Sequence, residues 1–254
     1  MESEREMKQN ESFSSFNFKT GVLSDMADSK YPCRLHALAG KQTMLLKKDG
    51  TYYVYVYQGI AYHNAAFPLV RGMYASLTDG FIQTHEDAMV VIIERIGFKG
   101  MTNYGGPVEP VGRLRYIDGC TDSLLVPPVK MGDPCLNHLH FPPGINQTMH
   151  THPSVRIGLV ANGRGECVTP FGNVPLRPGM IFIIHPENGT KVIGLDGEYH
   201  FAGSHCFRTD EVGMDVIAWH PDSDFGPTDE DHPMINRTIV DGVSAKYIDE
   251  IRTK

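Results

Sequence analysis

The feature that most constrains this chain is its punctuation. From about residue 36 onward, glycine or proline interrupts the sequence roughly every 8–12 residues. The segments between are short and rich in β-branched and aromatic residues: TYYVYVYQG, AMVVIIERIG, SVRIGLVANG and LRPGMIFIIHP. Such lengths leave little room for a helix of ordinary size. Tyrosine and valine alternating through 52–57 suit a pleated, half-buried surface. The spacing predicts an antiparallel sandwich or barrel, so the fold class is all-β. Asp49-Gly50, between two β-rich runs, reads as the turn of a hairpin. One short terminal helix is expected over residues 241–252 (DGVSAKYIDEIR).

The bulk numbers narrow the function. A formal net charge of −7 gives the chain no pull on nucleic acid or anionic membrane. No apolar run approaches the length of a membrane span. The five cysteines are odd in number, widely spaced and without a CxxC, which favours buried thiols over disulfides or a zinc knuckle. The first residues, MESEREMKQNESFSSF, lack the apolar stretch of a secretory signal, so a cytoplasmic location is expected. The compositional oddity is the 12 histidines.

Two of them stand in GINQTMHTHPSVRIGLVANG. In an extended strand His150 and His152 project to the same side, where both can reach one ion. The same parity carries to Arg156. A bare HxH is weak evidence in so histidine-rich a chain, and His138 and His140 form another. The surroundings add weight. Gly144 is followed by five residues, then His150-Thr-His152, three residues, Arg156, six residues and Gly163. Downstream come LRPGMIFIIHP, HCFRT at 205–209 and MDVIAWHP. This arrangement resembles the two motifs of the cupin superfamily, with an arginine where the family's glutamate stands.

The resemblance implies a cupin-type double-stranded β-helix, or jelly-roll barrel, over residues 116–225. An N-terminal arm (1–35) and a β-rich region (36–115) precede it. That region has similar punctuation but no HxH, and it reads as a degenerate cupin half, making the chain a bicupin. Residues 226–254 form a tail with the short helix. The resemblance further implies that His150, His152 and His205 are facial ligands of one divalent transition metal. Fe2+ comes first, with Ni2+, Mn2+, Co2+ and Zn2+ as alternatives. His200 and His185 compete with His205 for the third place.

Arg156 has two readings. It clamps the carboxylate of an anionic small-molecule substrate, or it turns away and pairs with Glu166 or an aspartate. His140, beside His138, reads as an acid–base group or as part of an exposed strand face. The function implied is a mononuclear metal-dependent dioxygenase acting on a small acidic or chelating substrate. Metal-dependent lyase or isomerase chemistry at the same site, and a non-catalytic sensor or sugar-binding cupin, are the alternatives. Partners expected are the substrate and a second copy in a homodimer, with the arm as a natural swapped element, and neither nucleic acid nor membrane.

Overall fold

The computed structural model describes residues 10–253; residues 1–9 of the expected arm lie outside the described residues. The first strand, β1 (Phe13–Phe16), is followed by β2 (Gly21–Met26), β3 (Cys33–Ala39), β4 (Thr43–Leu46), β5 (Gly50–Gln58), β6 (Ile60–His63), β7 (Phe67–Val70), β8 (Tyr74–Leu77), β9 (Gly80–Thr84), β10 (Met89–Ile96) and β11 (Asn103–Gly105). Strands β2–β11 form one sheet in the order β11-β8-β5-β10-β3-β2 and a second in the order β4-β9-β6-β7.

The second half supplies β12 (Leu114–Arg115), β13 (Thr121–Val126), β14 (Cys135–Phe141), β15 (Arg156–Gly163), β16 (Gly165–Thr169), β17 (Gly172–Leu176), β18 (Ile181–Ile184), β19 (Lys191–Ile193), β20 (Tyr199–Phe201), β21 (Cys206–Arg208) and β22 (Met214–His220). Its large sheet runs β1-β18-β15-β22-β14-β13-β12, and β17-β16-β21 lies in a smaller one. The core of each large sheet has one wiring, β3-β10-β5-β8 and β14-β22-β15-β18. In both, neighbouring strands of this core are non-consecutive in sequence, as in a jelly roll.

That wiring corrects one expectation. Asp49-Gly50 does not close a hairpin. β4 pairs with β9 and β5 pairs with β10, so the turn carries the chain from one sheet to the other. Its flanking residues are tied to the far strand instead, with Gly97 N donating to Asp49 O at 2.8 Å. Residues 241–252 also differ from expectation. They form two 3-10 turns, Ala245–Tyr247 and Asp249–Ile251, separated by extended Ile248. The α-helix of the tail is the short Pro233–Asn236. Among the described residues no helix is long and apolar enough to cross a membrane.

Alternation of side chains sorts the core into layers. Leu38, Val54, Ile82 and Ile92 fill the first half, and Phe141, Val160, Phe207 and Val216 fill the second. The opposite faces of the two large sheets meet in a third cluster, where Leu35, Tyr53 and Val91 pack with Leu136, Ile157, Ile217 and Trp219. Three of the five cysteines, Cys33, Cys120 and Cys167, join these clusters, and all five are free and buried.

The N-terminal strand β1 belongs to the second half of its own chain. Phe13 pairs with Ile184 in register, and the Phe13 ring stacks on Phe182 at 5.4 Å between centroids. Ser12 Oγ accepts from Gly203 N at 3.2 Å. Phe13 is 0% exposed, so its truncation leaves a cavity in the second half. Phe13→Ala is expected to lower unfolding free energy by about 3–5 kcal/mol, read by urea denaturation followed with Trp219 fluorescence. An unchanged midpoint would show that β1 adds nothing to this half.

Candidate metal centre

The second half brings two distant segments together at its mouth. His150 N donates to His205 O, and His205 N donates to His150 O, both at 2.9 Å. This antiparallel bridge sets the HxH segment against the segment leading into β21. One ring nitrogen from each of His150, His152 and His205 lies within 4.8 Å of the others. Ring centroids are 4.5 Å apart for His150 and His205, and 5.2 Å for His152 and His205. His150 Nδ1 lies 2.8 Å from Thr148 O, which fixes that nitrogen as the protonated one and leaves Nε2 free to bind.

The donor set fits a divalent transition metal. Burial, with Arg156 and His150 adding repulsion, pushes the His152 imidazole down to about 3. Burial acts in the same direction on His205, which is 1% exposed. Both rings are therefore neutral at physiological pH, the form that binds a metal without first losing a proton. His205 Nδ1 is buried with no hydrogen-bond partner among the described residues.

The competing histidines go elsewhere. His185 Nε2 lies 2.8 Å from Ser14 Oγ on β1, and His200 pairs with Asp196 at 2.9 Å on the exposed β19–β20 hairpin. His140 does not reach the three histidines either. Leu139 and Phe141 line the cavity, so strand parity turns His138 and His140 to the opposite face. There Asp215 Oδ1 lies 3.1 Å from His138 Nε2 and 2.7 Å from His140 Nδ1. The acid–base role expected of His140 does not fit this geometry.

Arg156 lines the same cavity as the three histidines. It arrives by a different route from simple strand parity. The chain leaves strand geometry after His150, bends at Pro153-Ser154, and resumes it at Arg156. Arg156 Nη1 donates to Ser154 Oγ, and to the carbonyls of Ser154 and Val155 at 3.2 Å each. Asp222 lies 3.6 Å from the same Nη1 and accepts from Ser154 Oγ at 2.5 Å. One side of the guanidinium is thus anchored, while Nε is buried without a partner. Arg156 therefore pairs with an aspartate, Asp222, and also faces the cavity.

The cavity encloses about 60 Å³, room for a few water molecules or one small ligand. Its walls are mostly apolar, including Phe182, Phe207, Val216 and Ala218. Sequence reasoning missed four polar members of the lining: Tyr116, Asp122, Gln147 and His220. His220 is kept neutral by burial and by Arg156. Gln147 ties the HxH segment to β21, with Phe207 N donating to its Oε1 at 3.2 Å.

Glycines shape the site at two positions. Gly163 has φ +69° and lies so near the Gly213 carbonyl that a Cβ would sit 1.9 Å from its oxygen. Gly158 lies under the Phe182 ring, 2.2 Å from where its own Cβ would be. Gly158→Ala is expected to displace Phe182 and destabilise the chain by about 1–3 kcal/mol, measured by urea denaturation. Wild-type stability in that variant would contradict the packing described.

No family model matches the chain, and no curated protein matches it in sequence. Solved structures do match in fold. A glyoxylate-induced protein from Pseudomonas aeruginosa superposes with TM-score 0.60 at 12% identity, covering 90% of this chain and 95% of that one. A salicylate 1,2-dioxygenase from Pseudaminobacter salicylatoxidans gives 0.56 at 9% identity, covering 86% of each chain. A cupin 2 conserved barrel domain protein from Leptotrichia buccalis gives 0.50 at 13% identity, covering 84% and 90%. The all-β jelly-roll wiring of this chain is thus the cupin-type fold of those structures, and its imidazole trio could hold a metal ion.

Proposed function

We propose that the chain is a mononuclear metal-dependent cupin enzyme, a non-haem iron dioxygenase acting on a small acidic or chelating substrate. His150, His152 and His205 hold the ion, and Arg156 holds the acid. The observation that carries this reading is the meeting of three imidazoles and one buried, half-anchored guanidinium in a single small cavity. Three protein ligands leave coordination positions for substrate and dioxygen, and iron(II) bound there supplies the redox chemistry.

The remaining residues bind and orient. Ser154 and Asp222 hold Arg156 Nη1, which orients its Nε edge for a substrate carboxylate. That anion adds to the partial compensation Asp222 gives the positive charge. Phe182, Phe207 and Val216 exclude water from the reacting part of the substrate. A salicylate 1,2-dioxygenase of the same fold, an enzyme named for an aromatic hydroxy acid, supports this substrate class.

Three further points belong to the same proposal. The first half is a cupin half without a metal site, supported by its identical strand wiring. The chain works as a homodimer, supported by exposed apolar side chains such as Leu195 and Tyr199 on the β19–β20 hairpin. Its location is the cytoplasm.

The test is metal analysis of anaerobically purified protein, followed by oxygen uptake with a panel of small hydroxy and thiol acids. About one iron per chain and substrate-dependent uptake are expected. His150→Ala is expected to lose the metal. Arg156→Leu is expected to keep it and to bind acids about 10–100-fold more weakly. Full metal content in His150→Ala would overturn the ligand assignment, and tight binding of an acid without turnover would mark a sensor.

A further inference from the structure

The cavity contains one carboxyl group, and it lies outside the arrangement described so far. Asp122 sits on β13 opposite Leu139 of β14, which in turn lies opposite Val216 of β22. All three line the cavity, so Asp122 is an acidic side chain projecting from an apolar row into the space beside the histidines. Among the described residues no hydrogen bond or ion pair engages its side chain. This differs from Asp222, which is tied to Ser154 and Arg156, and from Asp215, which is tied to His138 and His140.

The other ionisable groups of the cavity are poorly suited to accept a proton. Each of the three histidines offers one ring nitrogen to the proposed metal. His220 is buried beside a cation that opposes its protonation. Arg156 is always charged. The Tyr116 phenol, within electrostatic range of both Asp122 and Arg156, is pushed up by burial and is itself protonated at neutral pH. His138 and His140, the acid–base candidates of the sequence, face the other side of the sheet.

We propose that Asp122 is the proton acceptor of this cavity, taking the proton of the hydroxyl or thiol group of an acid whose carboxylate is held by Arg156. The inference rests on the proposed reading of the cavity as an acid-binding metal site. In the transfer, the O–H or S–H bond breaks and its electron pair stays on the ligand oxygen or sulfur. A new O–H bond forms on Asp122 Oδ; the ligand anion beside it favours the protonated carboxyl while the ligand stays bound, and the proton leaves again when the ligand does. The substrate class that follows is a bifunctional acid: one carboxylate plus a second, weakly acidic group.

The electrostatic surroundings agree. Burial raises the Asp122 carboxyl to about 6, with His138 the charge that opposes the rise. Tyr116 from the preceding segment, Arg156 from β15, His220 from β22 and the three histidines are the other titratable or charged side chains lining the cavity. At neutral pH the group is mostly ionised, hence able to accept, yet more basic than an ordinary aspartate.

The test uses full-length protein loaded with cobalt(II) and mercaptoacetate as probe. Binding is followed by the visible spectrum, and protons released are counted by calorimetry in buffers of different ionisation enthalpy. In the wild type at neutral pH the thiol proton is expected to stay on the protein, so net release is near zero. Asp122→Asn is expected to bind cobalt as before and to release about one proton per probe bound. Asp122→Glu is expected to restore retention. Equal proton release by wild type and Asp122→Asn would overturn the assignment of Asp122. Failure of mercaptoacetate to bind the cobalt-loaded wild type would instead overturn the reading of the cavity on which it rests.

Discussion

Two backbone hydrogen bonds, exchanged between His150 and His205, hold the polar end of this molecule together. They join segments more than fifty residues apart in sequence. Without that bridge the HxH pair would be two imidazoles on a loop, and the third histidine would belong to another strand end. The jelly-roll wiring makes the bridge unavoidable, because it lays the segment after β14 alongside the segment leading into β21. Asn146 and Arg208 continue the pairing, and Gln147 locks it from the side.

The bridge creates an electrostatic problem. Desolvating the His152 and His205 imidazoles near a guanidinium disfavours their protonated forms, and the depression of both expresses that cost. Neutral rings resolve it on the histidine side. Asp222 resolves part of it on the arginine side, from the chain just beyond β22. The remaining demand is for negative charge inside the cavity. A divalent ion would increase that demand, which is the physical ground for proposing that an anion enters with it. The apolar walls sharpen the effect by keeping the surrounding dielectric low.

Much of this was legible in the sequence, for identifiable reasons. Short β-rich segments between glycines and prolines left only an all-β reading. The motif glycines Gly144 and Gly163 have φ of +76° and +69°, which explains why glycine stands at those two spacings. His150, His152 and Arg156 converge on one cavity as their spacing suggested, although a bend at Pro153-Ser154 intervenes. What was not legible depends on register and on contacts between sheets. Asp49-Gly50 has the composition of a hairpin turn, but its flanking strands prefer partners in different sheets. His140 was read as an acid–base candidate because nothing in CLNHLHFPPG marks which parity faces inward. Asp122 was passed over for the same reason, being one polar residue in TDSLLV. His220 was passed over too, at the end of MDVIAWHP beside Trp219, whose ring packs into the cluster between the two large sheets.

The central claim is that three imidazoles from two distant segments share one ion. X-ray absorption on the iron(II)-loaded protein tests it most directly, because imidazole rings leave a multiple-scattering signature that water and carboxylate do not. Three imidazole nitrogens around each iron are predicted, with the remaining scatterers light oxygen atoms. A spectrum fitted with one imidazole or none would contradict the account.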